Sequence, residues 1–351
     1  MNTELMKMGW DADLENAMAA LAPDNLRPAR IAIRHRARYR ILDERGEGEA
    51  LVAGSFHGTD LAHWPAVGDW VAVCPHDDGP SVIHHVLPRR SLFSRQAAGL
   101  KTAEQVVAAN FDLVFVVSTL GYDFNPRRLE RYLLAAWDSG GVPVILLNKS
   151  DLCTDTAGYL ADVEAIAPGV DVHAVSAVTG MGMEAVRGYF ASGGTAVLIG
   201  SSGVGKSSLI NAMAGEHLMD TGELRANIEK GHHTTTHREL LALPGGGWVI
   251  DTPGMRELKL WDGDDSSQAL FGDVEALAQD CRFNDCRHAS EPGCAVRAAL
   301  EEGRLEPERF ANYQKMLKEL AYQKAKQDRA AQLAQKKRQK QLGKFRRSLK
   351  S

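Results

Sequence analysis

A glycine-rich stretch in the middle of the chain has residue types that can hold phosphate groups. Residues 200–207, GSSGVGKS, fit the pattern G-x-x-x-x-G-K-[ST], with a strand-like run before them and a helical pattern after them. Glycines let backbone N–H groups curl around phosphate oxygens, and the helix N-terminus adds its positive end. Lys206 is predicted to bridge the β- and γ-phosphates, and Ser207 to bind Mg²⁺. The predicted phosphate-binding residues are Gly200, Ser201, Ser202, Gly203, Val204, Gly205, Lys206, Ser207 and Ser208.

Two segments further along the chain have residues that suit phosphate hydrolysis. The run WVIDTPG ends in Asp251-Thr-Pro-Gly254, where the acid can hold magnesium through water and the Gly254 N–H can reach the γ-phosphate. Between the two motifs lies KGHHTTTH, a polar loop with three consecutive threonines. We predict that Thr235 completes the magnesium shell when the γ-phosphate is present, which is the logic of a switch loop.

The stretch VILLNKSDL, residues 144–152, has the N-K-x-D spacing that reads a guanine base. Asp151 can accept from the N1–H and N2–H₂ groups of guanine, a donor pair that adenine lacks. The Asn148 amide can bond to the purine or tether neighbouring loops, and the Lys149 stem can cover the ring. The pattern alone also fits a surface turn, but beside a phosphate loop it indicates guanine. The predicted base-binding residues are Asn148, Lys149, Ser150, Asp151 and, after the next strand, Ser176 and Ala177.

The base-reading motif comes before the phosphate-binding motif in this chain. A binding site is an arrangement in space, and domain termini often lie close enough to be joined and reopened elsewhere. The order therefore predicts a circularly permuted GTPase domain. One consequence is that the second switch loop, residues 251–257, runs directly into the C-terminal region.

A cluster of soft ligands follows in CRFNDCRHASEPGC. Its spacing is Cys281-x4-Cys286-x-His288-x5-Cys294, and three of the five cysteines of the chain fall within it. Four such ligands suit a closed tetrahedral zinc site with a structural role, which would stabilise a small segment with little core. The alternative is a set of reduced thiols in a helical region.

The remaining pattern predicts the elements that carry these motifs. From about residue 110, near-continuous apolar runs alternate with helical stretches, which is typical of a doubly wound α/β domain with a mostly parallel sheet. Ligands of such folds bind at the carboxyl ends of the strands. Residues 29–90 have shorter β-like runs separated by turn residues, which predict a small barrel. Beyond about residue 260 the sequence is helical and acidic.

The first run of the predicted barrel, RIAIRHRARYRIL, contains five arginines of one parity. In one strand they point to the same face, and such a face suits a phosphate backbone. The alternative is an exposed outer strand whose charges keep it soluble. The predicted RNA-binding residues are Arg30, Arg34, Arg36, Arg38 and Arg40.

Composition indicates a globular protein of several domains, with 351 residues, 44% of them apolar and 25% charged. No apolar run approaches the roughly 20 residues that cross a bilayer, and the N-terminus has no leader pattern, so we expect a cytoplasmic protein without a membrane segment.

The net charge of −4 hides an asymmetry. Residues 323–351 contain eleven Lys or Arg and one acid, which leaves a net charge of −14 on the rest. The basic tail either contacts a polyanion or is a solvated helical end.

Together these motifs resemble one family, the circularly permuted, ribosome small-subunit-dependent GTPases known as RsgA, YjeQ or YloQ. The likeness covers nearly the whole chain and includes the arginine-bearing barrel with GDWV at 68–71, the linking QVVAANFD, the nucleotide motifs and the cysteine cluster. One departure lies in the first switch, where His232 replaces the common arginine and His233 keeps the family histidine.

The resemblance implies an N-terminal β-barrel of the OB-fold, a central α/β P-loop GTPase domain permuted as G4-G5-G1-G2-G3, and a C-terminal α-helical zinc-binding domain with a basic tail. It also implies docking on the 30S ribosomal subunit and its 16S rRNA late in maturation, with hydrolysis of GTP to GDP stimulated by the subunit. We expect a monomer with one structural Zn²⁺, and Mg²⁺ bound with GTP. The expected segments are 1–28 (extension), 29–90 (barrel), 91–109 (linker), 110–262 (GTPase), 263–322 (zinc-binding) and 323–351 (tail).

The residue that positions the attacking water is not given by the motifs. Ras-like enzymes have Gln directly after D-x-x-G, and this chain has Met255. We expect slow intrinsic hydrolysis, a site completed by docking, and His233 as the leading candidate for the water. The predicted catalytic residues are Lys206, His233, Thr235, Asp251 and Gly254.

Rival interpretations remain open at the level of sequence. One is an RNA-binding timer in which GTP is a conformational ligand and hydrolysis only resets the state. Another is a GTPase that acts in translation or on a different RNA particle. An ATPase is disfavoured by Asp151.

Overall fold

The chain forms two compact units, Met1–Lys259 and Leu260–Ser351, in a computed structural model. The structure describes residues 2–21, 25–35, 38–76, 79–96, 104–121, 124–219, 238–251, 264–283, 286–307, 309–315 and 317–318. Within these residues no helix has the length and apolar character needed to cross a membrane.

Five strands near the N-terminus close a barrel, as the sequence predicts. They are β1 (Arg27–His35), β2 (Arg38–Asp43), β3 (Gly46–Val52), β4 (Trp70–His76) and β5 (Gly79–Val86). Their order is β1-β2-β3-β5-β4, and β4 pairs back with β1. Inward-facing Ile31, Tyr39, Ile41 and Ile83 are buried together because alternate residues of each strand point to the same side. This confirms the predicted OB-like barrel.

The second half of this unit is a doubly wound α/β domain. Its strands are β8 (Leu113–Thr119), β9 (Val142–Asn148), β10 (Asp171–Ala174), β11 (Thr195–Gly200), β12 (Glu239–Ala242) and β13 (Trp248–Asp251). Their order is β10-β9-β8-β11-β13-β12, parallel except for β12. Near-continuous apolar runs such as Phe115, Val116 and Val117 are buried on both faces of the sheet.

Helices connect these strands. They are α3 (Pro126–Asp138), α4 (Thr156–Ile166), α5 (Met183–Gly188) and α6 (Lys206–Ala214). Asn125 caps α3 by accepting from the Arg128 N–H, and Pro126 occupies the first turn, where a missing N–H costs nothing.

Two further pieces join the barrel to the α/β domain. Helices α1 (Thr3–Lys7) and α2 (Ala12–Ala19) pack on the outside of the barrel, where Trp10 meets Trp70 edge to face at 4.8 Å. The predicted linker, residues 91–109, contains an antiparallel ribbon of β6 (Leu92–Gln96) and β7 (Glu104–Ala109). In addition, β1 pairs with β12, so one eleven-stranded sheet runs through both domains.

The arginine run does not form a single strand, which corrects the prediction of one arginine face. Strand β1 ends at His35, β2 begins at Arg38, and the two are antiparallel. The register also shifts between Ile31 and Ile33, which reverses the side to which later residues of β1 point. Arg34 is therefore the partner of Tyr39 and lies over its ring at 6.0 Å.

Three of the five predicted arginines, Arg30, Arg34 and Arg36, either differ from the prediction or lie outside the described residues. Arg34 is half-buried and donates to the Pro65 carbonyl, while Arg36 lies outside the described residues. Arg38 and Arg40 are exposed on β2, as an RNA-binding role requires.

Arg30 is buried, which contradicts its prediction as an RNA-binding residue. Its guanidinium donates to the carbonyls of Met8, Gly68 and Asn110 and to the Thr195 hydroxyl. Burial lowers its pKa to about 10, although the carboxylate of Asp112 opposes the shift. The outer face of β1 is covered at this point by the N-terminal helices and by β11, so Arg30 joins the barrel to the α/β domain.

The C-terminal unit is helical in its described part. It contains α7 (Asp264–Gln279), which is broken at Phe271, and α8 (Ala295–Glu301). Phe271, Val274 and Val296 are fully buried, and Arg309 lies 4.9 Å above the Phe271 ring. The basic tail lies outside the described residues.

Replacing Arg30 by Met is expected to lower the free energy of unfolding by about 2–5 kcal/mol. The change removes a buried charge and leaves buried acceptors such as the Asn110 carbonyl unsatisfied. Urea denaturation measures the loss. The matched control, Arg38→Met on the exposed face of β2, should stay within about 0.5 kcal/mol of the wild type. Equal losses in the two variants would contradict a joining role for Arg30.

Candidate functional site

The sequence motifs converge on the carboxyl edge of the α/β sheet. The last residue of β9, Asn148, is in register with Thr119 of β8, and the last residue of β11, Gly200, is in register with Val117. Asp251 ends β13, the parallel neighbour of β11 on its other side. Because parallel strands end at one edge of a sheet, loops far apart in the sequence come together there.

The Asn148 side chain connects three of these loops. Its amide nitrogen donates to the Val204 carbonyl at 2.8 Å, and its amide oxygen accepts from the Ala177 N–H at 3.3 Å. The residue is 2% exposed. These contacts are the tether between neighbouring loops that the sequence allows for Asn148.

Lys149 extends the same connection. Its backbone has φ of 61° and ψ of 34°, a left-handed conformation that is uncommon for a residue with a side chain. This conformation turns the chain sharply after β9, and Nζ donates to the Gly203 carbonyl at 2.8 Å. The base-reading loop therefore lies against the phosphate loop.

Asp151 is held by the loop after β10. The Ser176 hydroxyl donates to Oδ1 of Asp151 at 2.6 Å and accepts from the Thr179 N–H at 3.1 Å. A carboxylate has about four acceptor positions, so this bond fixes its orientation and leaves others for the two guanine donors. The N–H of Ala177, a predicted base-binding residue of the same loop, donates to the Asn148 amide oxygen.

The phosphate loop runs from β11 to α6, the setting that the sequence predicts. Two of its glycines are required by contacts: a Cβ on Gly200 would overlap the Val117 carbonyl, and one on Gly205 would overlap the Asn148 amide nitrogen. Gly205 also has φ of 93°. Nζ of Lys206 lies within the curl of the loop, donating to the carbonyls of Gly200 and Ser201 at 2.9 and 2.8 Å.

The described residues also fit a magnesium ion beside the phosphates. Ser207 lies in the first turn of α6, and Asp251, 4% exposed, ends the neighbouring strand. A hydroxyl and a carboxylate are the oxygen ligands that Mg²⁺ prefers. The other predicted members of the hydrolytic site, His233, Thr235 and Gly254, lie outside the described residues.

Comparison with known proteins agrees with this geometry. The family model described as RsgA GTPase matches residues 86–261. The small ribosomal subunit biogenesis GTPase RsgA of Opitutus terrae is 49% identical over 330 residues, which are 91% of this chain and 90% of that protein. The chain belongs to the RsgA GTPase family. It is a GTPase, and the family uses guanine nucleotide with Mg²⁺.

Other RsgA proteins and solved structures extend the likeness. The protein of the same name from Syntrophotalea carbinolica is 42% identical over 90% of each chain. The crystal structure of YjeQ from Thermotoga maritima is 31% identical, with a TM-score of 0.62 over 84% of this chain and 99% of that one. YloQ, described as a circularly permuted GTPase, shares the fold at 23% identity and a TM-score of 0.60, covering 86% of this chain and 96% of YloQ. A model described as ABC transporter also matches residues 183–342, a stretch that includes the phosphate loop.

In the C-terminal unit, the four predicted metal ligands of this GTPase lie together. The ligand atoms of Cys281, Cys286, His288 and Cys294 are all within 4.8 Å of one another. The sulfur of Cys281 is 3.8 Å from that of Cys294, and Nδ1 of His288 is 3.6 and 3.4 Å from these two sulfurs. In a tetrahedral site with Zn–S bonds of about 2.3 Å, neighbouring ligand atoms are about 3.5–3.8 Å apart. The cluster could hold a metal ion.

The pKa shifts of three ligands describe the chemistry of this cluster. Burial and the sulfurs of Cys294 and Cys281 raise the pKa of the Cys286 thiol to about 11. Burial lowers the pKa of His288, which favours the neutral imidazole that binds metals. Burial alone would raise the pKa of the Cys281 thiol, but hydrogen bonds from the backbone of Val296 and Ala295 outweigh burial and lower this pKa. A bound cation would stabilise the clustered sulfurs as thiolates.

Several contacts around these sites could not be recognised from the motifs. Glu291, inside the cysteine segment, accepts from the N–H groups of Arg287, Ala289 and Ser290. A hydrogen bond from its own N–H, together with these three, lowers its pKa to about 2. The only feature of the sequence that could have indicated a role for Glu291 is its position between the predicted metal ligands His288 and Cys294. On the barrel, Arg40 is 3.7 Å from Glu239 of β12, a partner about 200 residues away.

Replacing Asp151 by Asn is expected to weaken GDP binding by about 100-fold or more. The change loses two charge-assisted hydrogen bonds to guanine and presents an amide donor in their place. Isothermal titration with GDP and with xanthosine diphosphate measures the effect, because xanthine has a carbonyl where guanine has the N2 donor. Asp155→Asn, in the exposed cap of α4, is the control and should bind GDP normally. Unchanged GDP affinity in Asp151→Asn would exclude this residue as the base reader.

Proposed function

We propose that this GTPase binds the small ribosomal subunit and assists its late maturation, with hydrolysis stimulated by the subunit and followed by release. The observation that carries the proposal is the similarity to proteins named small ribosomal subunit biogenesis GTPase, over about nine tenths of the chain. The predicted division into barrel (29–90), GTPase (110–262) and metal-binding (263–322) segments is kept as part of it. A monomer and a cytoplasmic location stay predictions.

In the nucleotide site, Asp151 reads the guanine edge while the Ser176 hydroxyl orients it. The phosphate loop surrounds the phosphates with backbone N–H groups, and Lys206 exchanges its carbonyl partners for phosphate oxygens. Ser207, Thr235 and Asp251 would hold Mg²⁺, which neutralises charge that develops on the phosphates.

The hydrolytic step needs a group that orients water in a chain with Met255 after Asp-Thr-Pro-Gly. His233 is proposed for this role, and Gly254 for an N–H bond to the γ-phosphate. Because a methionine side chain cannot orient water, intrinsic turnover is expected to be slow until docking completes the site.

The proposed RNA contact is 16S rRNA, through Arg38 and Arg40 on the barrel, with Arg36 and the basic tail as predicted additions. Both described arginines are exposed, at 73% and 47% of their side chains, but each has an acidic neighbour. Arg38 lies 3.7 Å from Glu49, and Arg40 lies 3.8 Å from Glu47. RNA phosphates must therefore compete with these carboxylates for the two arginines. Because this weakens each contact, we expect RNA to bind through several surfaces of the protein.

For the C-terminal unit we propose one structural Zn²⁺, held by three thiolates and one imidazole. Three sulfurs and a nitrogen are ligands that suit zinc, and four protein ligands leave no open position for catalysis. The distances of 3.4–3.8 Å between ligand atoms support this choice.

Replacing Cys286 by Ser is expected to reduce zinc content from one atom per chain to less than half. The weaker ligand opens the tetrahedral shell, and the surrounding segment should lose helical structure. Elemental analysis of purified protein and far-UV circular dichroism measure these changes. Cys74→Ser and Cys153→Ser, outside the cluster, should keep full zinc content. A zinc-free wild type with the same circular dichroism would contradict the proposal.

GTP turnover with and without purified 30S subunits tests the proposed function. We expect stimulation of at least about tenfold at low salt and a steep decline as salt rises, because phosphate contacts release counterions. Naked RNA without small-subunit structure should stimulate far less. His233→Ala should lose most of the stimulation, which lowers turnover with subunits by about tenfold or more, whereas His232→Ala should keep it. Equal turnover with and without subunits at every salt concentration would refute the proposal.

A further inference from the structure

Three strands bring Arg40 of the barrel and Glu239 of the GTPase sheet onto one row. Ile33 of β1 is the register partner of Arg40 on β2 and of Glu239 on β12. Residues in one row leave a sheet on the same side, with neighbouring strands about 4.8 Å apart, so a long side chain can reach across the middle strand. Nη1 of Arg40 is 3.7 Å from Oε1 of Glu239.

Glu239 lies close in sequence to the predicted first switch of the GTPase domain. It is the first residue of β12, two residues after the segment KGHHTTTH that contains the predicted first switch. The side chains of Arg40 and Glu239 are 47% and 40% exposed, so both are accessible to a charged partner. The barrel is thus linked by an accessible ion pair to the strand that leaves this switch.

We propose that an RNA phosphate and Glu239 compete for the guanidinium of Arg40. The planar fork of arginine donors matches a carboxylate or a phosphate, and full engagement with one weakens the bond to the other. RNA on the barrel therefore releases Glu239, and a nucleotide state that draws Glu239 away makes Arg40 available to RNA. The inference rests on the proposed function, whose regulation it specifies.

The expected size of the effect follows from the exposure of the pair. Exposed ion pairs contribute little, so competition should change RNA affinity by about 1.5- to 5-fold. Linkage requires the effect to be reciprocal: if the Arg40–Glu239 pair is weaker in the triphosphate form, RNA bound at Arg40 must favour triphosphate binding by the same factor. The competition supplies one part of the coupling between RNA and nucleotide.

The barrel contains matched controls for this pair. Arg38 lies on the same strand, is exposed, and pairs at 3.7 Å with Glu49 of β3, which belongs to the barrel itself. Glu47 lies 3.8 Å from Arg40 and also belongs to β3. Removing the Glu47 charge frees Arg40 from a competitor that has no connection to the switch segment.

The test measures the affinity of full-length protein for 30S subunits, with GDP and with a non-hydrolysable GTP analogue. Wild type should bind more tightly with the analogue. Glu239→Gln should raise affinity about 1.5- to 5-fold with GDP and less with the analogue, so the ratio between the two nucleotide states shrinks. Glu47→Gln should raise both affinities equally and leave the ratio unchanged. Arg38→Ala should lower the affinity for subunits by the same factor with GDP and with the analogue.

The double variant Arg40→Ala/Glu239→Gln should behave like Arg40→Ala alone, because competition needs the guanidinium. An unchanged ratio in Glu239→Gln, or an effect of this substitution that persists without Arg40, would overturn the inference. Both outcomes would leave the proposed function intact if wild type binds subunits in a nucleotide-dependent way. Absence of wild-type binding would instead overturn the proposed function itself. GDP affinity without subunits confirms that each variant is folded.

Discussion

The nucleotide site depends on one buried side-chain amide. Asn148 donates to the phosphate loop at Val204 and accepts from the loop after β10 at Ala177. These two contacts bind together segments that follow three different strands. The tether joins loops that are far apart in the chain, since the base-reading loop precedes the phosphate loop by more than fifty residues. The need for a glycine at position 205 follows from the same contact, because a larger residue would meet the Asn148 amide.

The same unit is anchored at the opposite edge of the sheet. Arg30 donates to Thr195, the first residue of β11, and the indole of Trp248, the first residue of β13, donates to the Lys7 carbonyl. The two strands that carry the phosphate loop and Asp251 are therefore held at their amino ends by the barrel and the N-terminal helices. In the proposed mechanism, fixing these ends would hold the phosphate loop and Asp251 in position for phosphoryl transfer.

Motifs whose chemistry demands a fixed spacing were predictable from the sequence. The phosphate loop, the base reader and the cysteine cluster fall into this class, and so do the alternation of buried strands with helices and the small barrel. The arginine face was not predictable, because parity holds only along an unbroken strand. Strand β1 ends at His35, β2 begins at Arg38 in the antiparallel direction, and the register shifts before Ile33; these features arise from the pairing of the two strands. Arg30 differs for a similar reason: its burial is caused by segments distant in sequence, and no local pattern distinguishes it from Arg38.

The central claim is that one molecule binds the base and the phosphates of a guanine nucleotide with loops in permuted order. A crystal structure of the full chain with GDP and Mg²⁺ measures this directly. The account predicts guanine N1 and N2 within hydrogen-bonding distance of the Asp151 carboxylate, and the β-phosphate inside the loop of residues 200–207 of the same chain. A base bound away from Asp151, with its phosphates still in that loop, would contradict it.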